Sequence, residues 1–129
     1  MLSALGYTSY SKKVGERLVV EVDKDLLDCY RWFLSRAGIV TNRPRFHPHI
    51  SVVRFEDVSI SENWNSNSIE IRFQYDPIIH NDETYYWLAV VCPQLEQIRE
   101  SLGLPLIKRN VTLSPDERHR FHLTIGNTK

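Results

Sequence analysis

The chain has 129 residues, 42% hydrophobic and 25% charged, enough for one domain with a real core and too apolar to remain disordered. Lys+Arg and Asp+Glu both total 16, so the formal net charge is zero; this excludes the basic excess of a protein that coats long DNA or RNA and confines any phosphate site to a local cluster. The opening "MLSALGYTSYSKK" is too short and polar for a secretory signal and no run reaches the roughly 18 apolar residues of a membrane span, so no membrane association and a cytoplasmic location are expected.

In chain order, the first segment reads as irregular; its Tyr7, Tyr10, Lys12 and Lys13 are candidates for closing over a ligand. "RLVVEV", 17–22, reads as a strand with Leu18, Val20 and Val22 on one face and Arg17, Val19 and Glu21 on the other. Asp23 then caps a helix whose apolar stripe is Leu26, Leu27, Tyr30, Phe33 and Leu34 and whose C′ residue is Gly38. A loop with two prolines leads into the strand "HISVVRFE", and a Ser/Asn-rich loop follows over 59–68. "SIEIRFQY" alternates cleanly, "DPIIHNDE" reads as a turn, and "TYYWLAVVC" is strongly β-prone. Pro93 opens a second helix through "PQLEQIRESLGL", and a loop carrying Lys108 and Arg109 precedes the last strand, "FHLTIGN". Cys29 and Cys92 each stand alone in an apolar segment and are expected to be buried free thiols.

The order strand, helix, proline-containing loop, strand occurs twice, giving a single domain over 1–129 with approximate repeat halves 17–56 and 84–128. Each second strand carries the same pattern: His49-Ile50-Ser51-Val52 in one half and His122-Leu123-Thr124-Ile125 in the other. On a strand, His49 and Ser51 share one face, as do His122 and Thr124, while the apolar residues between them point into packing. Related by a two-fold axis, the two imidazoles would meet with a hydroxyl beside each. Two groups that titrate near neutrality suit phosphodiester cleavage, in which one takes a proton from the attacking oxygen and the other protonates the leaving oxygen. Ser51 and Thr124 are placed to donate to the non-bridging phosphate oxygens.

"HPHISV" and "RFHLTI" resemble the doubled His-x-Thr/Ser signature of the two-histidine (2H) phosphoesterases. That resemblance implies an α+β, bilobal, pseudo-two-fold fold: two antiparallel sheets facing a central cleft, with helices on the outside. It implies a metal-independent phosphoric diester hydrolase with no cofactor, with His49 and His122 as base and acid and Ser51 and Thr124 as phosphate donors. The implied substrates are cyclic nucleotides, cyclic oligonucleotides or RNA ends. Members include RNA 2′,3′-cyclic phosphodiesterases and phage anti-CBASS enzymes that degrade cyclic oligonucleotides, the latter acting in the host cytoplasm. The first motif carries Ser where the family more often has Thr. An RNA-end 2′,3′-cyclic phosphodiesterase and a non-catalytic nucleotide-binding module are the competing readings.

Strand parity assigns Tyr85 and Trp87 to the cleft as stacking residues for a base, with Arg17 and Arg72 as phosphate contacts. The same parity puts Arg54 on the face opposite His49 and excludes it. His47 and His119 read as solvent-facing or structural, and a zinc site from His47, His49, His80 and His122 is a weak alternative with no Cys or carboxylate cluster to support it.

Overall fold

A computed structural model describes residues 1–11, 17–54, 67–104 and 121–128. It contains β1 (Leu2–Ser11), β2 (Arg17–Val22), α1 (Lys24–Arg36), β3 (His49–Arg54), β4 (Glu70–Asn81), β5 (Tyr85–Val91), α2 (Pro93–Ser101) and β6 (Phe121–Asn127). The expected α+β class holds, but the sheet differs from the expected pair. The six strands close into one antiparallel barrel in the order β1-β2-β3-β6-β5-β4. The β3–β6 join is its weakest seam, made by the single pair Ile50↔Leu123, whereas the β2–β3 and β5–β6 ladders are extensive. Lys12, Lys13, Lys108, Arg109 and His119, and most of the loop expected over 59–68, lie outside the described residues.

One face of the sheet is apolar. Leu18, Val20, Val22, Ile50, Leu88, Val90, Leu123 and Ile125 are buried together with Leu27, Tyr30 and Leu34 of α1 and Leu95 and Leu102, the C-cap residue of α2. The Tyr30 ring meets Tyr75 of β4 edge-on at 6.2 Å, which seats α1 on this face. Both helices are bounded by chemistry visible in the sequence. The Asp23 side chain accepts from the Asp25 N–H at 2.9 Å, and Pro93 occupies the first turn of α2. Gly38, at φ 84°, closes α1 in a Schellman motif: its N–H donates to Ser35 and that of Ile39 to Leu34. Gly103 closes α2 in the same way.

Some expected core positions lie outside the core. Phe33 is exposed at 52%, because the stripe of α1 needs only Leu27, Tyr30 and Leu34 to meet the sheet. Cys29 is exposed and Cys92 buried; both are free. The N-terminal segment is a strand, not an irregular flap, and "DPIIHN" continues β4 instead of turning the chain. β1 is rich in Ser and Tyr, with a weak alternation, and is held by ladders to β2 on one side and β4 on the other. Pro77 is accommodated in β4 because the β4–β5 register shifts between Tyr75 and Ile79, where its missing N–H breaks no pair. With these two strands the unit ββαβ occurs twice, adding β1 and β4 ahead of the halves read at 17–56 and 84–128.

Candidate functional site

The weak seam is where the two motifs meet. Ile50 faces Leu123, and both are fully buried. In an antiparallel pair the flanking positions then oppose each other: His49 lies across from Thr124, and Ser51 across from His122. All four side chains are half-buried and lie on the face turned away from the helices. Each motif therefore sets its own hydroxyl beside the other motif's histidine, in a square with two imidazoles and two hydroxyls at alternating corners.

Each motif also carries a β-bulge immediately after its hydroxyl residue. β2 pairs Val19 with Ser51 but Leu18 with Val53, leaving Val52 as the extra residue. β5 pairs Trp87 with Thr124 but Tyr86 with Gly126, leaving Ile125 as the extra residue. A bulge frees a backbone carbonyl that needs a partner when buried. Arg99 of α2 donates to the Val52 carbonyl at 2.7 Å, and Arg31 of α1 donates to the Ile125 carbonyl at 3.0 Å. The bonds are reciprocal: each helix braces the bulge in the other half. Arg99 is buried at 1% exposure, and Arg31 is ion-paired with Asp28. Sequence reasoning did not find either arginine, although both occupy helix positions repeated between the halves.

Geometry and burial together fix the state of the His49 imidazole. Its Nδ1 lies 2.8 Å from the His47 carbonyl oxygen. A carbonyl only accepts, so Nδ1 carries the proton and Nε2 keeps its lone pair. Burial pushes the His49 pKa below its ordinary 6.5; the His47 bond opposes this, Arg17 and Arg54 add to it, and Glu21, which pairs with His49, opposes it. The imidazole is thereby held neutral at physiological pH, with an acceptor nitrogen available. His47 itself is exposed, and its contribution is the backbone oxygen that fixes this tautomer.

The flanking candidates divide. Trp87 pairs with Thr124 and Ala89 with His122, so the β5 face carrying Tyr85 and Trp87 adjoins the second motif. Tyr85 is 48% exposed. His80 of β4 pairs with Trp87, and their rings stack at 6.0 Å, which adds His80 to this aromatic flank. Tyr7 of β1 pairs with Glu21, itself the partner of His49, and so falls on the same face. Tyr10 is half-buried and packs against the core. Arg17 shares the face of Val19 and Glu21, as expected. Arg72 is exposed on β4 and pairs with Leu5, with the whole of β5 between it and β6, so the sheet does not set it beside either motif histidine.

Arg54 requires a correction. Simple alternation from His49 puts it on the core face, but the bulge inserts Val52 and shifts the parity by one. Val52 and Val53 are both buried, and Arg54 emerges opposite Arg17 on the face of His49 and Ser51. Among the described residues, which include His47, His49, His80 and His122, no group of three or more His, Cys, Asp or Glu is close enough to hold a metal ion. Also among the described residues, no helix is long and apolar enough to cross a membrane. No family model matches the chain, and neither a curated protein nor a solved structure matches it.

Proposed function

We propose that the chain is a metal-independent phosphodiesterase of the 2H type, with a bilobal site formed where its two halves meet. It would act on a cyclic nucleotide, a cyclic oligonucleotide or another 3′–5′ phosphodiester. The observation that carries this reading is the alternation of His49, Thr124, His122 and Ser51 around the Ile50↔Leu123 pair. A phosphate seated over that pair has an imidazole on each side and a hydroxyl beside each imidazole.

The chemistry divides between the histidines. His49, neutral and with Nε2 unprotonated, accepts the proton of the attacking oxygen, a ribose 2′-OH or water, as that oxygen bonds to phosphorus. His122, protonated, donates to the oxygen that leaves as its bond to phosphorus breaks. Ser51 and Thr124 donate hydrogen bonds to the non-bridging oxygens, whose charge persists through the transition state. Tyr85 and Trp87 offer ring faces on which a base can stack. The reaction leaves His49 protonated and His122 neutral, and exchange with solvent resets the pair.

The test is incubation with cyclic dinucleotides, 3′–5′ dinucleotides and 2′,3′-cyclic nucleotides in EDTA, with products resolved chromatographically. Cleavage should fall by about 100-fold or more in His49→Ala and His122→Ala, and by about 10-fold or more in Ser51→Ala and Thr124→Val. Hydrolysis confined to 2′,3′-cyclic nucleotides would favour the RNA-end enzyme. Tight retention of a nucleotide without products would refute the hydrolase reading in favour of a binding module.

A further inference from the structure

The repeat keeps the four central residues symmetric but not their surroundings. Aligned on the two bulges, Arg17 and Arg54 of the first half occupy the positions of Tyr85 and Asn127 in the second. Val19 likewise corresponds to Trp87. One flank of the square is therefore cationic and the other aromatic.

The register sets Arg17 and Arg54 directly opposite each other on one face of the β2–β3 pair. The bulge at Val52 creates this arrangement, because without the extra residue Arg54 would turn to the core face. Arg17 has no ion-pair partner among the described residues. Position matters as much as charge. Arg17 lies two residues beyond Val19, the partner of Ser51, or about 7 Å along the strand. That distance is comparable with the separation of neighbouring phosphates in an oligonucleotide chain.

We propose that Arg17 and Arg54 form a second anion subsite. The preferred substrate is then a phosphodiester that carries a further phosphate on the His49 flank and a base on the Tyr85–Trp87 flank, not an isolated 2′,3′-cyclic mononucleotide. The proposal rests on the phosphodiesterase reading above and names the substrate class it takes. No bond is made or broken at the subsite. Two planar guanidiniums facing one phosphate give charge-assisted, multidentate binding. The cationic and aromatic flanks together give the pseudo-symmetric cleft a direction, so a linear substrate binds in one orientation.

The experiment uses the full chain and three probes: the dinucleotide ApA, its 5′-phosphorylated form pApA and its 3′-phosphorylated form ApAp. Binding is measured by calorimetry on His122→Ala, which removes turnover, and cleavage is measured separately on the wild type. One phosphorylated probe should bind about tenfold tighter than ApA. That ratio should collapse to near one when either Arg17→Gln or Arg54→Gln is added. Equal binding of all three probes, or an advantage that survives both arginine substitutions, overturns the subsite. Phosphate-dependent binding with no wild-type cleavage of any probe, nor of the cyclic dinucleotides and 2′,3′-cyclic nucleotides, would instead overturn the phosphodiesterase reading while supporting the subsite. Cleavage with no phosphate preference in binding does the reverse.

Discussion

Replacing Arg99 by methionine tests whether the buried brace on β3 holds the first motif in shape. The substitution keeps the length and apolar stem of the side chain but removes the N–H that reaches the Val52 carbonyl at 2.7 Å. A hydrogen bond from a charged donor contributes about 1.5–3 kcal/mol, and the carbonyl it leaves is buried and unsatisfied. Loss of a buried charge offsets part of this, because the guanidinium no longer has to be desolvated. The expected net cost is about 2–3 kcal/mol. For a domain of this size that corresponds to a fall in melting temperature of roughly 8–12 °C. Guanidinium denaturation of wild type and Arg99→Met reads the difference directly. The matching substitution, Arg31→Met, removes a 3.0 Å bond from a side chain that is 14% exposed, and so should cost less. Arg99→Lys keeps a donor and should recover part of the loss. A cost below about 0.5 kcal/mol for Arg99→Met, or a larger cost for Arg31→Met than for Arg99→Met, would refute the bracing argument.

The remaining predictions concern the strands that carry the histidines. A methyl group at Gly126 would lie 2.6 Å from the Asn42 carbonyl oxygen, where the 41–42 loop crosses β6. Gly126→Ala should therefore cost about 1–3 kcal/mol by thermal unfolding, and a variant as stable as wild type would mean that the crossing yields easily. The folded-state pKa of His49 lies below its ordinary 6.5. As pH falls through 6.5 the unfolded chain takes up this proton first, so stability is lost from there down to the folded-state pKa and then levels off. His49→Gln should flatten that decline as pH falls through the ordinary 6.5, and an unchanged slope in urea titrations would show that His49 is not its source.

The sequence alone determined the periodic parts. The Val-rich run of 17–22, the clean alternation of 70–75, the Asp23 cap, the Gly38 stop and the doubled His-x-hydroxyl pattern are local signals, each carried by the physics of a few neighbouring residues. They were sufficient to place His49, Ser51, His122 and Thr124 on one face of their strands and to indicate a repeat. β1 was not legible in this way, because a Ser- and Tyr-rich segment becomes a strand only when β2 and β4 supply hydrogen bonds on both sides. Simple alternation puts Arg54 on the wrong face for a related reason. Alternation assumes that every residue advances the pairing by one, and a bulge breaks that assumption at a place only the partner strand defines. The roles of Arg31 and Arg99 depend on the same two bulges, since a helix arginine has a backbone carbonyl to brace only once the strand in the other half has released one. Tertiary structure alone decided how the halves meet: a closed barrel whose thinnest seam brings each histidine against the hydroxyl of the opposite motif.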